Sequence, residues 1–337
     1  MIKIDGSQGG GQMLRSALGL SAVTGKAFQM INIRGSRPKP GLKIQHLEGT
    51  RAVAQICNAE VLGLNLGSKE LIFKPQEIKS GKIKIKVGTA GSVGLILQAV
   101  LIPATQTKIK ILIEGGATYG KWCVPMDSLW NIVFPLLSRM GYDIKVKNVK
   151  QGFYPKGGTR VEVVSKKAEL KPIEIMDKGK LLALKGISVA SSSLKRSKVA
   201  ERQIKAAKHI IFSSFNKNIN ILNLYSETLC PGSGITLWAE CENSIIGADC
   251  LGEKGKRAEI VGAEAAQKLI IEYENAAVDA FTADQLMVYM ALAKGGKIKT
   301  SKITEHMKTN AKIIEKFLNV KFKLDNNIIE CCNAKVP

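Results

Sequence analysis

Aromatic residues are scarce: Phe, Trp and Tyr together make up 5% of the 337 residues. That shortage excludes an extended base-stacking platform for single strands, so a nucleic-acid partner would be held through its phosphates. CxxC pairs are missing too. The seven cysteines, Cys57, Cys123, Cys230, Cys241, Cys250, Cys331 and Cys332, form none of the spacings of a zinc site. Their odd number fits reduced thiols in a cytosolic protein. Long apolar runs are absent. The longest, Val93 to Ala104, is interrupted by Gln98 and falls short of the roughly 20 residues that span a bilayer. The start, Met1-Ile-Lys-Ile-Asp-Gly6, has no apolar region of the kind a secretory leader carries, so a cytoplasmic protein with no membrane partner is expected. Acidic residues are few beside basic ones, 28 against 50, which leaves a formal charge of +22. Such an excess does not help folding. It favours a polyanionic partner, most simply RNA or DNA.

What is present is enough apolar sequence for a core, 45% of residues, on a chain long enough for about two domains. Histidine is rare, with three in all, and His306 is the informative one. It stands in Ile303-Thr-Glu-His-Met-Lys-Thr-Asn310, between a strand-like run (Lys297 to Ile303) and a helix-like run (Thr309 to Leu318). A histidine just ahead of a helix feels the positive end of the dipole, which disfavours the imidazolium. Neutral imidazole is the nucleophilic form, and a helix N-terminus also attracts phosphate. The arrangement suits a histidine that attacks phosphorus; the plainer alternative is a capping or packing histidine.

The chain repeats itself. Gly9-Gly10-Gly11 leads into a helix candidate (Gln12 to Val23), followed by a basic loop (Arg34 to Lys43) and a second helix candidate (Gln45 to Ala59). About 80 residues on, the pattern recurs: Gly88-Thr-Ala-Gly-Ser-Val-Gly94 opens a helix from Ser92 to Ile102, and Pro125 to Met140 reads as its second helix. Strand-like runs lie between, at Leu71 to Lys74, Lys82 to Val87 and Lys108 to Glu114. A third unit reads as split, with a strand at Gly158 to Val164 and helices only at Thr282 to Lys294 and Thr309 to Leu318. The material between has its own strands (Leu182 to Ile187, Ile235 to Cys241) and helices (Lys198 to Ser213, Ala258 to Tyr273). The expected fold is therefore α/β: three tandem repeats of a four-stranded sheet with two helices, plus a smaller inserted α/β domain. The expected boundaries are residues 1–180 and 276–337 for the large domain and 181–275 for the insertion, an arrangement tolerated when the ends of the insert lie close together.

Four segments can carry chemistry. In Asp5-Gly-Ser-Gln-Gly-Gly-Gly-Gln-Met-Leu-Arg15 the glycines let backbone N–H groups approach an anion, and Arg15 can add a bidentate phosphate contact. The alternative is an ordinary tight turn. In Arg34-Gly-Ser-Arg-Pro-Lys-Pro-Gly-Leu-Lys-Ile-Gln-His46 four cations are held by two prolines and two glycines, a stiff loop that loses little entropy on binding phosphate or RNA. A merely basic surface loop is the competing reading, and His46 is expected to orient a neighbour. In Phe281-Thr-Ala-Asp-Gln-Leu286, Asp284 and Gln285 can meet a base edge or a ribose and Phe281 a base face; equally, the segment can be a plain helix start with Thr282 as N-cap. Gln98 is the polar residue of an apolar helix, so it is either structural or a ligand contact.

Taken together these segments resemble the RNA 3′-terminal phosphate cyclase family over nearly the whole chain. The strongest pieces are Gly10-Gly-Gln-Met-Leu-Arg15, Arg34-x-x-Arg-x-Lys-Pro-Gly41, Gly152-Phe-Tyr-Pro-Lys-Gly-Gly158, Val199-Ala-Glu-Arg202, Pro231-Gly-Ser-Gly234, Ala283-Asp-Gln-Leu286 and His306-x-x-Thr-Asn310. The resemblance implies ATP-dependent conversion of an RNA 3′-terminal phosphate to a 2′,3′-cyclic phosphate, through a covalent histidyl-AMP and then an RNA-adenylate. It implies ATP as co-substrate, a divalent metal (Mg²⁺ or Mn²⁺), RNA with a 3′-terminal phosphate as partner, and it leaves room for a homodimer. Position by position, His306 matches the family nucleophile. Gln98, Phe281, Thr282, Ala283, Asp284 and Gln285 match the ATP segments, and Pro125 looks like part of the wall beside the adenine. Arg15, Arg34, Arg37 and Gln45 match the phosphate-bearing pocket. This chain departs from the pattern in its first loop, which is two residues shorter and lacks the glutamate that is a metal-ligand candidate in the family; Asp5 and Glu48 are the nearest stand-ins. Leu194 to Val199 lacks a histidine often found there, and Glu305 and Lys308 are unusual neighbours for the nucleophile. Two other readings follow from related architectures: a non-catalytic, cyclase-like RNA-binding assembly factor, and an enolpyruvyl transferase, for which +22 is more charge than a small anion requires.

Overall fold

The computed structural model describes residues 1–121 and 123–334. The first unit runs β1 (Ile2–Asp5), α1 (Gly11–Thr24), β2 (Phe28–Ile31), α2 (Ile44–Cys57), β3 (Glu60–Leu62) and β4 (Leu71–Lys74). Its sheet has the order β1-β2-β4-β3, with β1 and β2 parallel and the other pairs antiparallel. The second unit repeats this plan: β5 (Gly81–Ser92), α3 (Val93–Ala104), β6 (Ile109–Ala117), then α4 (Met126–Ser128) passing through a π-helical turn (Leu129–Val133) into α5 (Phe134–Arg139), then β7 (Ile144–Lys150) and β8 (Arg160–Ser165). The order is β5-β6-β8-β7, again with one parallel pair followed by two antiparallel ones.

The third unit begins at β9 (Glu174–Ile175), not at the run Gly158 to Val164. That run is β8, which pairs with β6 and β7 and so closes the second sheet. A two-residue strand has no readable period, which is why β9 is invisible in the sequence. After β9 the chain forms β10 (Leu181–Ser191), α6 (Val199–Phe215), β11 (Asn220–Ser226), β12 (Ser233–Cys241), β13 (Ile245–Leu251) and α7 (Ala258–Asn275), whose sheet has a different order, β11-β10-β12-β13. Leu184, Ile211, Ile235, Leu237 and Leu269 belong to a core of its own. The third unit then resumes with α8 (Ala280–Leu292), β14 (Gly296–Lys299), α9 (Glu305–Phe317), β15 (Val320–Asp325) and β16 (Ile328–Asn333). Its sheet, β9-β14-β16-β15, has the topology of the first two.

The helices of the three units pack on one another: α1 touches α2, α3 and α9, and α8 lies against α9. Close approach of α1 and α3 depends on Gly19, where a Cβ would come within 2.6 Å of Ile102. Helix α3 is buried almost all round, so the main core is a helical layer with each sheet covering it from outside. Leu18 and Ile102 in that layer are apolar and buried; burying a side chain of this size stabilises by about 1.5–3 kcal/mol. The helix N-termini of different units converge where glycines and polar side chains interrupt this packing. No helix is long and apolar enough to cross a membrane among the described residues.

Candidate active site

A cleft of about 590 Å³ opens between the helix ends of the repeat units and the edge of the β11-β10-β12-β13 sheet, within the range of roughly 300–1,000 Å³ usual for small-molecule sites. Its lining includes Arg15, Gln98, Phe281, Asp284, Gln285 and His306. The nucleophile candidate sits inside α9, one residue later than a helix start at Glu305, and not ahead of the helix as its sequence neighbourhood suggests. Thr304 is the N-cap, its Oγ1 accepting the Met307 N–H at 3.2 Å. The run of helix-forming residues begins earlier than the apolar period because a capping threonine, not hydrophobicity, sets the boundary. His306 is exposed to the cleft. Its ring nevertheless loses water against the wall, and Arg37 and then Arg15 add repulsion, so its pKa lies below the ordinary value and the imidazole is neutral at pH 7.

The glycine loop faces it. Gly10 is the N-cap of α1, with extended backbone (φ −97°) and no side-chain cap for the helix, so the first N–H groups of α1 are left for an anion. A Cβ on Gly10 would stand 3.2 Å from Arg37 Nη2 and 3.7 Å from His306 Cε1. Gly10→Ala is therefore expected to leave the fold intact, because alanine adopts this φ freely, while its methyl occupies the space between Arg37 and His306. Melting temperature should stay within about 2 °C of wild type and affinity for a phosphate-bearing ligand should fall by at least about tenfold. A variant that binds normally would remove Gly10 from the pocket floor. Gly11 is tighter still: a Cβ there would meet His46 Nε2 at 2.2 Å. His46 Nδ1 accepts the Lys43 N–H at 3.0 Å and so caps α2. Burial, with Arg15, Arg34 and Lys43, pushes its pKa down to about 3, so the ring is neutral and carries its proton on Nε2, toward the glycine loop.

Arg15 is the least compensated charge of the site. Among the described residues its buried Nε has no hydrogen-bond partner. Burial brings its pKa down to about 10, against the pull of Asp284, so it is still a cation. Asp284 in turn is raised to about 6 by burial. It accepts from Gln12 Nε2 at 2.5 Å and Asn310 Nδ2 at 3.2 Å, and Ser16 donates to Asn310 Oδ1 at 2.7 Å. These bonds tie α1, α8 and α9 together, one helix from the first unit and two from the third, and fix the helix that carries His306.

The remaining sequence-derived residues divide. Phe281 and Gln285 line the cleft, as does Gln98 from α3. Pro125 is the N-cap of α4, next to Val124 in the cleft wall. Thr282 and Ala283 are buried and turn inward. The N-cap of α8 is Asp279, whose Oδ1 accepts the Thr282 N–H at 2.9 Å, and not Thr282 itself. Arg34 is partly engaged in holding its own loop: Nη1 donates to the Lys39 and Gly41 carbonyls, both at 2.8 Å. Gln45 lies beside Gly91 at the opening of α3. Glu305 and Lys308 pair with each other at 2.7 Å and cancel.

The residues present do not form a chelate for a divalent ion. Among the described residues no group of three or more His, Cys, Asp or Glu side chains is placed to hold a metal. Neither stand-in for the missing glutamate lines the cleft: Glu48 pairs with Arg51 at 2.6 Å, and Asp5 accepts from the Ser7 N–H and Asn32.

The inserted segment supplies a wall that no motif announced, from β13, the loop after it and α7. Asp249, Cys250, Glu253, Lys256 and Lys268 all face the cleft. Lys256 Nζ donates to Glu264 at 2.6 Å, and Lys121 reaches across to Glu253 at 2.8 Å.

The RNA 3′-terminal phosphate cyclase family model matches residues 7–324. The chain is similar to the RNA 3′-terminal phosphate cyclase of Pyrococcus abyssi, 41% identical over all of this chain and 98% of that protein. It is 44% identical to that of Saccharolobus solfataricus, over 96% of both chains. With that of Methanopyrus kandleri identity is 41%, over 96% of this chain and 95% of the other. The chain belongs to the RNA 3′-terminal phosphate cyclase family.

Proposed function

We propose that this protein converts an RNA 3′-terminal phosphate to a 2′,3′-cyclic phosphate at the expense of ATP, in three transfers. His306 attacks the α-phosphorus of ATP; an N–P bond forms, the bridging P–O bond breaks, and pyrophosphate leaves. The terminal phosphate of the RNA then takes the AMP from the histidine, forming a P–O–P link and freeing the imidazole. The vicinal 2′-hydroxyl attacks the RNA phosphorus, loses its proton, and expels AMP. The route is chemically reasonable because adenylylation turns a poor leaving oxygen into AMP, and a covalent intermediate divides one hard step into easier ones. Acceleration then comes from placement and charge neutralisation.

The observation that carries this reading is the meeting of a neutral histidine, an arginine whose buried nitrogen has no partner among the described residues, and a helix N-terminus without a side-chain cap at one cleft. Arg15, Arg37 and the α1 N–H groups are assigned to phosphate. Phe281 and Pro125 are assigned to the two faces of adenine, and Gln98 and Gln285 to its polar edge or the ribose. Arg34 and Gln45 are assigned to the RNA phosphate, and Asp284 to fixing α9. Residues 181–275 are read as a separate inserted domain that closes the far wall. A divalent ion, Mg²⁺ or Mn²⁺, would arrive with the phosphates of ATP. A cytoplasmic setting is consistent with the reduced cysteines.

Incubation with α-labelled ATP, with and without a 3′-phosphorylated oligonucleotide, tests the scheme. Label should attach to the protein, survive denaturation, be released by mild acid as a phosphoramidate is, and be discharged by the RNA as a cyclic end forms. Absence of label with either metal would sink the catalytic reading and favour the RNA-binding factor.

A further inference from the structure

The three repeat units share one topology, so each presents an equivalent outer sheet face to solvent, and their charges can be compared position by position. The outer face of the first sheet carries Lys3 and Lys74 against Asp5 and Glu60. The third carries Lys297, Lys299, Lys321 and Lys323 against Glu174, Asp325 and Glu330. Neither has much net charge. The second differs. Along β5, Lys82, Lys84 and Lys86 alternate with buried Ile83 and Ile85, so all three point outward and are exposed. On the opposite edge, β7 exposes Lys145, Lys147 and Lys150. The central strands add Lys110 and Arg160, and the register places all of these on one face: Lys82 beside Lys110, Arg160 beside Lys150. Eight cations thus share a face with two carboxylates, Glu114 and Glu162. Both acids are already paired, with Lys84 at 2.7 Å and Lys110 at 2.8 Å. Among the described residues Lys82, Lys86 and the three lysines of β7 make no ion pair.

This face leads to the cleft. The row nearest the site is Lys86, Glu114, Arg160 and Lys150, at the edge where β5 and β6 end. Just beyond it Gly91 packs on Gln45, a Cβ at Gly91 falling 3.6 Å from that of Gln45. The segment Gly152 to Gly158 lies on the same edge: a Cβ at Gly157 would meet the carbonyls of Gly116 and Thr89 at 2.5 and 3.0 Å. Its tip raises Tyr154, 74% exposed, and Lys156 into solvent.

We infer that the RNA strand upstream of its 3′-phosphate runs over the outer face of the β5-β6-β8-β7 sheet, past Tyr154 and Gln45 at the opening of α3, toward the cleft. This rests on the reading of the cleft as the adenylylation site. Alternate residues of a strand are about 6.7 Å apart, a spacing that lets successive lysines of β5 meet successive phosphates. The sparse aromatics fit the same picture: contacts are to phosphate, with Tyr154 a single ring for a base. A lysine-rich surface in general would not concentrate charge on one of three equivalent faces.

The test uses the full chain and a triple variant, Lys82→Gln, Lys84→Gln and Lys86→Gln, beside a control, Lys297→Gln, Lys321→Gln and Lys323→Gln, on the third sheet. Binding of 3′-phosphorylated single-stranded RNAs, one of three nucleotides and one of fifteen, is followed by anisotropy across a salt series. Three lost phosphate contacts should lower the salt slope for the longer RNA by about 2 and its affinity by about tenfold or more. The short RNA and self-adenylylation should be unchanged. The inference is overturned if affinity for the longer RNA stays within twofold of wild type, or if the control variant loses as much. Failure of the cleft reading would show differently, as absence of adenylate on every protein including wild type.

Discussion

Replacing His306 by alanine should abolish labelling by α-labelled ATP, lowering the single-turnover rate by at least about a thousandfold, without unfolding the protein. The side chain is exposed and takes no part in the Thr304 cap, so a circular dichroism melt should coincide with wild type. The pH dependence carries further information. Protonation removes the nucleophile, so the rate must fall on the acid side of the His306 pKa. That pKa is depressed by burial, Arg37 and Arg15, which puts the acid limb below the 6.5 of a free histidine. Arg37→Gln removes one of the two nearby cations and should move the limb toward higher pH, separately from any loss of ATP affinity. A limb that stays put in Arg37→Gln, or an alanine variant that still labels, would mean another residue accepts the adenylate.

The repeat architecture could be read in the sequence because α1 and α3 are both preceded by glycines and followed at the same offset by a second helix; period and punctuation are local signals. The split third unit was legible in outline, since the helices of 282–294 and 309–318 needed a sheet partner. Its first strand was not, because β9 is two residues long and β8 carries a stronger strand pattern. Helix starts failed for a related reason. Asp279 and Thr304 cap their helices through side-chain oxygens, and each lies ahead of the apolar periodicity that marks the helix body. His306, Arg15, Gln98 and Phe281 were legible as individuals because each breaks a local rule: a lone histidine, a cation in an apolar helix, an amide in a core helix, an aromatic beside a helix start. Gln12 and the wall of Asp249 and Cys250 break none. What places them at the cleft is the meeting of α1 with α8 and the pairing of β12 with β13, long-range contacts that no window of sequence contains.

Arg15→Met should separate binding from stability more sharply than any other substitution in the site. A guanidinium whose buried Nε has no partner among the described residues is costly in the free protein, and the depression of its pKa to about 10 goes with that burial. At pH 7 it is still charged, so it is an electrostatic demand that an incoming phosphate meets. Methionine fills similar volume without the charge. ATP should then bind at least about a hundredfold more weakly, the consequence of removing one partner of a buried charge contact worth about 2–5 kcal/mol. The free variant should melt no lower than wild type. The comparison is best made at pH 5.5 because Asp284 loses a neighbouring cation. Its folded pKa, already raised to about 6, rises further, and a raised carboxylate adds stability at low pH that is lost as pH climbs through the folded value. Saturating ATP should lift the wild-type melting temperature by several degrees and leave that of the variant where it was. If the variant melts well below wild type at pH 5.5, Arg15 is a structural cation held by Asp284 and the phosphate role passes to Arg37. If it melts normally and ATP still stabilises it, the phosphates do not reach the floor of the cleft.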